Sequence, residues 1–381
     1  ETGNTKVKNQ FIFSGTNFRV PPFSSEASGA VYLGNSESFQ VGVGNNINMD
    51  FSIPGSQVLA TDLNPKITKN TLASSLNGGN GITPGSFSIS DRAGNTASIL
   101  VNSTDTIERL FSKINNAGVN VTASINSSGN GLQLVDNNAV ITQSMTVSEV
   151  SGGSTAIELG ILGKRDGTLS GADLNPAMTN STLISNLDSG NGLTLNEINI
   201  VNGAASGAVT LSSATTLGDI INLINNAGLN VSASINSAGN SLQITSNTSS
   251  TVAVVRNIGT DETAERLGLG GGKNIFTTLY KLRDAFQKDD TSAILASLET
   301  LDSSLASVNN SRAIIGASLS RVDNSNFVRA QEVVNRTEQL SKIEDADVIQ
   351  SASDLANLQF ALQATLSSTA QILQPTLLDF L

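Results

Sequence analysis

Gly268-Leu-Gly-Gly-Gly-Lys273 comes nearest to a phosphate cradle, since glycine lets backbone N–H groups approach an anion and lysine supplies charge. Its spacing fails. A phosphate-binding loop needs glycine where Leu267 stands and Ser or Thr where Asn274 stands, so the segment reads as a flexible joint. Asp62 and Asp173 are the candidates for paired-carboxylate chemistry. Each opens an Asp-Leu-Asn-Pro segment whose Asp can bond nearby backbone amides, so a turn is expected at both. Asn102, Asn120, Asn180 and Asn230 open Asn-x-Ser/Thr triplets, which so Asn-, Ser- and Thr-rich a chain contains by composition.

The inventory excludes more than it offers. His and Cys are both absent, which removes the imidazole base, disulfides, and thiolate nucleophiles or metal ligands. Only Ser-Lys or carboxylate catalysis would remain, so the chain reads as a non-enzyme with no catalytic, cofactor-binding or metal-ligating residue assigned and no cofactor expected. A formal net charge of −11 argues against nucleic acid, which needs clustered Lys and Arg. No apolar run approaches the ~18 residues of a membrane span, so no membrane insertion is expected. With Trp absent and only 2 Tyr and 13 Phe in 381 residues, the cores must be small.

The elements that position these residues include a repeat. Asp62-Leu-Asn-Pro65 returns as Asp173-Leu-Asn-Pro176, and Gly79-Asn-Gly81 as Gly190-Asn-Gly192. Ile114-Asn-Asn-Ala-Gly118 returns as Ile224-Asn-Asn-Ala-Gly228, and Ala123-Ser-Ile-Asn126 as Ala233-Ser-Ile-Asn236. The offset is 111 residues for the first two and 110 for the others, which marks a duplicated unit. Each copy reads as strands around one short helix. In the first, Ser86–Ile89 and Ala97–Val101 are strands, Asp105 caps a helix with Glu108 at the capping-box position, and Ile107, Leu110, Phe111 and Ile114 share a face. Val119–Ile125 and Leu132–Leu134 follow as strands. In the second, Thr216 and Asp219 take the box positions, with Leu217, Ile220, Ile221 and Ile224 facing inward.

Elsewhere the signals differ. Thr2 to Gln10 reads as the end of a helix, from which a missing N-terminal portion is expected. Residues 11 to 53 read as β-hairpins, with Phe11–Phe13, Phe39–Val43 and Ile47–Ile53 as strands. From Lys273 the pattern is helical. Ile294, Leu298, Leu301, Leu305, Val308, Ile315, Leu319 and Val322 follow the alternating seam of a coiled coil or long bundle. A last helix carries Leu355, Leu358, Leu362, Leu366, Leu373 and Leu377, with Phe380 and Leu381 at its end. This leucine stripe is the expected subunit interface, because a helix with an apolar face must bury it. The architecture expected is α+β. A discontinuous long-helix rod with β-hairpins (1–55 plus 273–344) carries two small α+β inserts (56–164 and 165–272), followed by a terminal helix (345–381).

The helical end resembles the flagellin superfamily. Ser311-Arg-Ala-Ile-Ile-Gly-Ala317 is similar to the family motif in the long outer-core helix, and Ile343-Glu-Asp-Ala-Asp347 with Leu358–Leu366 to the segment entering the inner-core helix. Leu377-Leu-Asp-Phe-Leu381, and Phe11-Ile-Phe-Ser-Gly-Thr16 with Pro21-Pro-Phe23, resemble the hook-filament junction (FlgL, hook-associated protein 3) family within it. Each insert resembles the flagellin hook IN motif. The resemblance implies an exported, extracellular structural subunit of the bacterial flagellum, passing through the type III channel. Its implied partners are hook-associated protein 1, flagellin, copies of itself in a ring, and an export chaperone. Two other readings are a flagellin bearing outer domains and a surface module whose inserts contact glycans or host surfaces.

Overall fold

The computed structural model describes residues 1–15, 21–26, 29–38, 40–44, 47–50, 52–344 and 348–372. It is a mixture of helix and sheet that divides into two units, Glu1–Ser318 and Leu319–Leu381.

Thr2–Asn4 makes a single 3-10 turn, after which Lys6–Val7 (β1) pairs antiparallel with Gln10–Phe11 (β2). The helix end expected over Thr2 to Gln10 is not formed. Lys8 and Asn9 take φ of 48° and 65°, and two successive left-handed residues make a hairpin turn that no helix accommodates. Two further hairpins follow, Phe23–Glu26 (β3) with Gly29–Tyr32 (β4) and Gln40–Gly44 (β5) with Ile47–Asp50 (β6). Phe39 and Phe51, read as strand residues, lie outside the described residues, as does Thr16. Helix α1 (Gly55–Val58) ends the stretch.

Next come two α+β bodies. The first comprises β7 (Gly85–Ser90), β8 (Thr96–Val101), α2 (Ile107–Asn115), β9 (Val121–Ile125), β10 (Leu132–Asp136), β11 (Met145–Glu149), α3 (Thr155–Glu158), β12 (Gly163–Arg165) and β13 (Thr168–Ser170). Its sheets run β12-β11-β7-β8 and β13-β10-β9. The boundary expected at residue 164 therefore falls inside β12, since β12 pairs with β11 and β13 with β10. The second body comprises β14 (Glu197–Asn202), β15 (Ala205–Thr210), α4 (Leu217–Asn225), β16 (Val231–Ile235), β17 (Leu242–Ser246), β18 (Ala253–Asn257) and α5 (Thr263–Arg266). Its sheets run β15-β14-β18 and β16-β17.

Each body has its own core. Phe87, Ile107, Ile114, Leu132, Leu134 and Met145 are buried in the first, and Ile198, Ile200, Leu211, Leu217, Ile220 and Ile224 in the second. The inward face of α4 follows the sequence periodicity, and Thr216 with Asp219 forms the full capping box. At α2 the cap lies one residue later than expected. Thr106 accepts from the Arg109 amide, whereas Asp105 accepts from the Asn102 amide and pairs with Lys113 and Arg109, so its oxygens are engaged elsewhere. Gly118 and Gly228 follow these helices at φ of 83° and 74°, a conformation costly to any residue with a Cβ.

The segments leading into the two bodies are exchanged. Leu63, ahead of the first body, is buried in the core of the second, and Leu174, ahead of the second, is buried in the core of the first. Backbone bonds repeat the exchange: the amides of Asp188 and Ser189 donate to the carbonyls of Leu63 and Asn64, and those of Asn77 and Gly78 to the carbonyls of Leu174 and Asn175.

The chain leaves the second body into α6 (Ile275–Gln287), α7 (Thr291–Glu344) and α8 (Val348–Ile372). Ile275 and Phe276 of α6 complete a small cluster with Phe23, Tyr32, Val58 and Leu59.

Candidate assembly surface

Helix α7 starts at a fixed point. The buried Asp290 carboxylate accepts from the Ala293 amide with one oxygen and from the Val252 amide of the second body with the other, at 3.1 and 2.9 Å. It therefore caps the helix and ties it to the sheet edge. The glycine-rich segment before α6 serves the same attachment. Gly271 donates to Thr278 Oγ1 and Gly272 to Ser303 Oγ of α7, at 3.2 and 2.8 Å. These N–H groups are committed to the protein, and φ of 79°, 74° and 51° at Gly268, Gly271 and Gly272 explains the glycines without an anion. The joint expected here is thus a packed turn, with Asn274 accepting from the Thr61 amide and donating to the Glu265 carbonyl.

The face of α7 that packs in the first unit is the small-residue one. Ala293, Ala296, Ser297, Thr300 and Ser304 are buried, and Ala293 and Ala296 cluster with Val201, Val252 and Val254. Arg256 fixes the edge of that contact by pairing with Glu299 at 2.6 Å. Leu298, Leu305, Ile315 and Leu319 of the expected seam are exposed instead, while Ile294, Leu301, Val308 and Val322 are half-buried. Small side chains let the helix approach the sheet closely, so they take the packed side and the leucines turn outward. The sequence reading missed this face because it weighed only large apolar residues; the signal was the three- and four-residue spacing of Ala and Ser.

In the second unit the described side chains of Leu319–Ile343 and Ile349–Gln371 are exposed apart from the half-buried Val322 and Ser325. On α8, Leu355, Leu358, Leu362 and Leu366 stand one turn apart, each 58 to 68% exposed. Spacings of three and four residues place them on one stripe of the helix. Leu373, Leu377, Phe380 and Leu381 lie outside the described residues, as do residues 345–347 of the expected family segment. Each leucine that passed from water into a contact would contribute up to about 2 kcal/mol, so the four make a substantial unpartnered surface.

Asp62 and Asp173 do form the expected turns, each accepting from the amide two residues on, at 2.9 and 2.8 Å. They are also both buried in the exchanged junction, a proximity their separation in sequence did not indicate. Among the described residues no group of three or more acidic side chains could hold a metal ion, and no helix is long and apolar enough to cross a membrane. Phe87 and Phe111, the aromatic residues of 56–272, are both buried, so neither body offers an exposed aromatic platform for a sugar ring.

Residues 298–381, which hold the exposed seam of α7 and all of α8, match the model of the bacterial flagellin C-terminal helical region. Residues 193–248, in the second body, match the flagellin hook IN motif. Two regions of the chain thus match flagellin family models. Both likenesses coincide with those read from the sequence, the first lying on the leucine-bearing helices and the second on one of the two bodies. Among curated proteins no significant match is found. Solved structures similar to this chain include flagellar hook associated protein-3 from Legionella pneumophila, at 13% identity and a TM-score of 0.28 over 91% of this chain and 77% of that one. FlgL from Xanthomonas campestris is similar at 15% identity and a TM-score of 0.27, over 89% and 76%.

Proposed function

We propose that this chain is a structural subunit of the bacterial flagellum, an adaptor at the hook-filament junction that joins hook-associated protein 1 to flagellin. The observation that carries the reading is the coincidence of the flagellin C-terminal match with helices whose leucines are exposed. Mechanically, Leu355, Leu358, Leu362 and Leu366, with Leu373, Leu377, Phe380 and Leu381 beyond them, bury their side chains against a partner helix and neighbouring copies in a ring. Repeated heterologous contacts around an axis build such a tube without metal or cofactor. Residues 1–55 and 273–344 form the rod, and the two bodies between them, the first extending through β13 rather than ending at 164, are a duplicated insert carried outside it. The subunit is exported to the cell exterior with the help of a chaperone.

Immunogold electron microscopy of hook-filament junctions, with the chain supplied intact or lacking Gln350–Leu381, tests this. The intact chain labels the junction and the truncated one does not, although its first unit melts unchanged. Normal junctions built from the truncated chain would overturn the proposal. The flagellin match favours one second reading, a filament subunit with outer domains. It predicts long filaments on reconstitution, where an adaptor stops at short assemblies.

A further inference from the structure

The exchanged junction holds an unusual balance of polar groups. Ser36, from the segment after β4, donates from Oγ to Asp173 Oδ2 at 2.8 Å and accepts from Asn64 Nδ2 at 2.9 Å, so one hydroxyl spans both Asp-Leu-Asn-Pro segments. Asn64 also donates to Ser189 Oγ of the second body at 2.9 Å. Three buried oxygens in these segments, Asp62 Oδ2, Asn64 Oδ1 and Asn175 Oδ1, have no hydrogen-bond partner. The cluster is therefore rich in acceptors and short of donors. The charged or titratable groups facing Asp62 are Asp173, Lys273 and the Tyr32 phenol, with Asp188 beside Lys273. One lysine, its own ammonium disfavoured by burial, faces the buried Asp62 and the exposed Asp188.

A proton on Asp62 would relieve both deficits, supplying a donor and removing one of two neighbouring buried charges. We propose that Asp62 and Asp173 form a proton-dependent latch, which clamps the two bodies and the segment after β4 together while Asp62 is protonated and loosens when both carboxyls ionise. Burial, and then the Asp173 charge, push Asp62 up to about 7 against the opposing Asn64 amide and Lys273, and burial raises Asp173. The direction follows. With the folded-state value above that of the unfolded chain, the contribution to stability is complete below the ordinary carboxylate range and is lost as pH rises through about 7. The latch is independent of the flagellar reading, since it lies wholly within the first unit.

Hydrogen exchange of the intact chain reads it directly at the four crossing amides, Asn77, Gly78, Asp188 and Ser189. Corrected for intrinsic rates, their protection is expected to fall by up to roughly tenfold per pH unit from the ordinary carboxylate range up to about pH 7, the limit for release of one proton, and to level off above it. Asp62→Asn, neutral at every pH, should hold them at the low-pH level throughout. Asp173→Asn removes the neighbouring charge that helps hold Asp62 up and should shift the loss to lower pH without abolishing it, which keeps the test open if Asp62→Asn fails to fold. Protection in the native chain that is flat across this range would overturn the latch, as would an unchanged decline in Asp62→Asn. Recovery of protection by millimolar calcium at fixed alkaline pH would also overturn it, marking the pair as cation ligands.

Discussion

Leu174→Ala should damage the body that precedes it in sequence rather than the one it introduces. Its side chain is fully buried among Leu76, Phe87, Leu132 and other residues of the first core, although the second body begins just after it. Leucine-to-alanine changes at such sites cost about 3 to 4 kcal/mol, from lost transfer energy and the cavity left behind. The backbone can hold, because the Leu174 carbonyl accepts from the Asn77 amide and its own amide donates to Asn130, bonds that alanine keeps. The loss is therefore local. Hydrogen exchange followed by mass spectrometry should show protection falling by two to three decades in strands β7, β9 and β10, with β14 and β18 affected less. Leu63→Ala should give the mirror result, opening β14 to β18 first. If Leu174→Ala instead exposed the second body first, the exchange of leading segments would be refuted, and with it the account of the junction.

Smaller perturbations probe the other supports. Thr216→Ala removes the hydroxyl that accepts from the Asp219 amide at 3.1 Å and should cost about 1 kcal/mol in urea unfolding. Asp290→Ala frees the start of α7 and the Val252 amide at once, and a loss of about 2 kcal/mol is expected, with faster exchange at Val252 and Ala293. Leu358→Ser with Leu362→Ser should leave the melting of the isolated chain unchanged, since both are already exposed, yet weaken assembly about 100-fold by light scattering or sedimentation. A comparable drop in thermal stability would show that these leucines already serve the fold.

Legibility varied with the range of the interaction. Helices α2 and α4 were readable because their buried residues recur at helical spacing, and the α4 cap because its box lies within four residues. The α2 cap was misread when Asp105, a good capping residue by type, proved to be held by Lys113 two turns along the helix. The hairpin at Lys8 and Asn9 was missed because neither is glycine, and only the backbone shows their positive φ. The exchange of Leu63 and Leu174 had no local signal. Two identical Asp-Leu-Asn-Pro segments fit either body equally well on paper, so sequence could fix the turn but not the core that each leucine enters.

The long helix carries the same limit further. Its leucine periodicity gave a face, and the simplest expectation was that the face packs. In the first unit the packed face is Ala293, Ala296, Ser297, Thr300 and Ser304, because a helix seated on a sheet face approaches more closely through small side chains. The leucines are then left over, on the side away from the contact, and their spacing continues beyond it. A surface of this kind is costly in water. On α8, Leu355, Leu358, Leu362 and Leu366 leave a surface of the same kind, which the proposed assembly would cover. On α7, small residues thus make the attachment to the second body and leave the leucines exposed, and under the proposed function the exposed leucines of α8 are the ones that serve assembly.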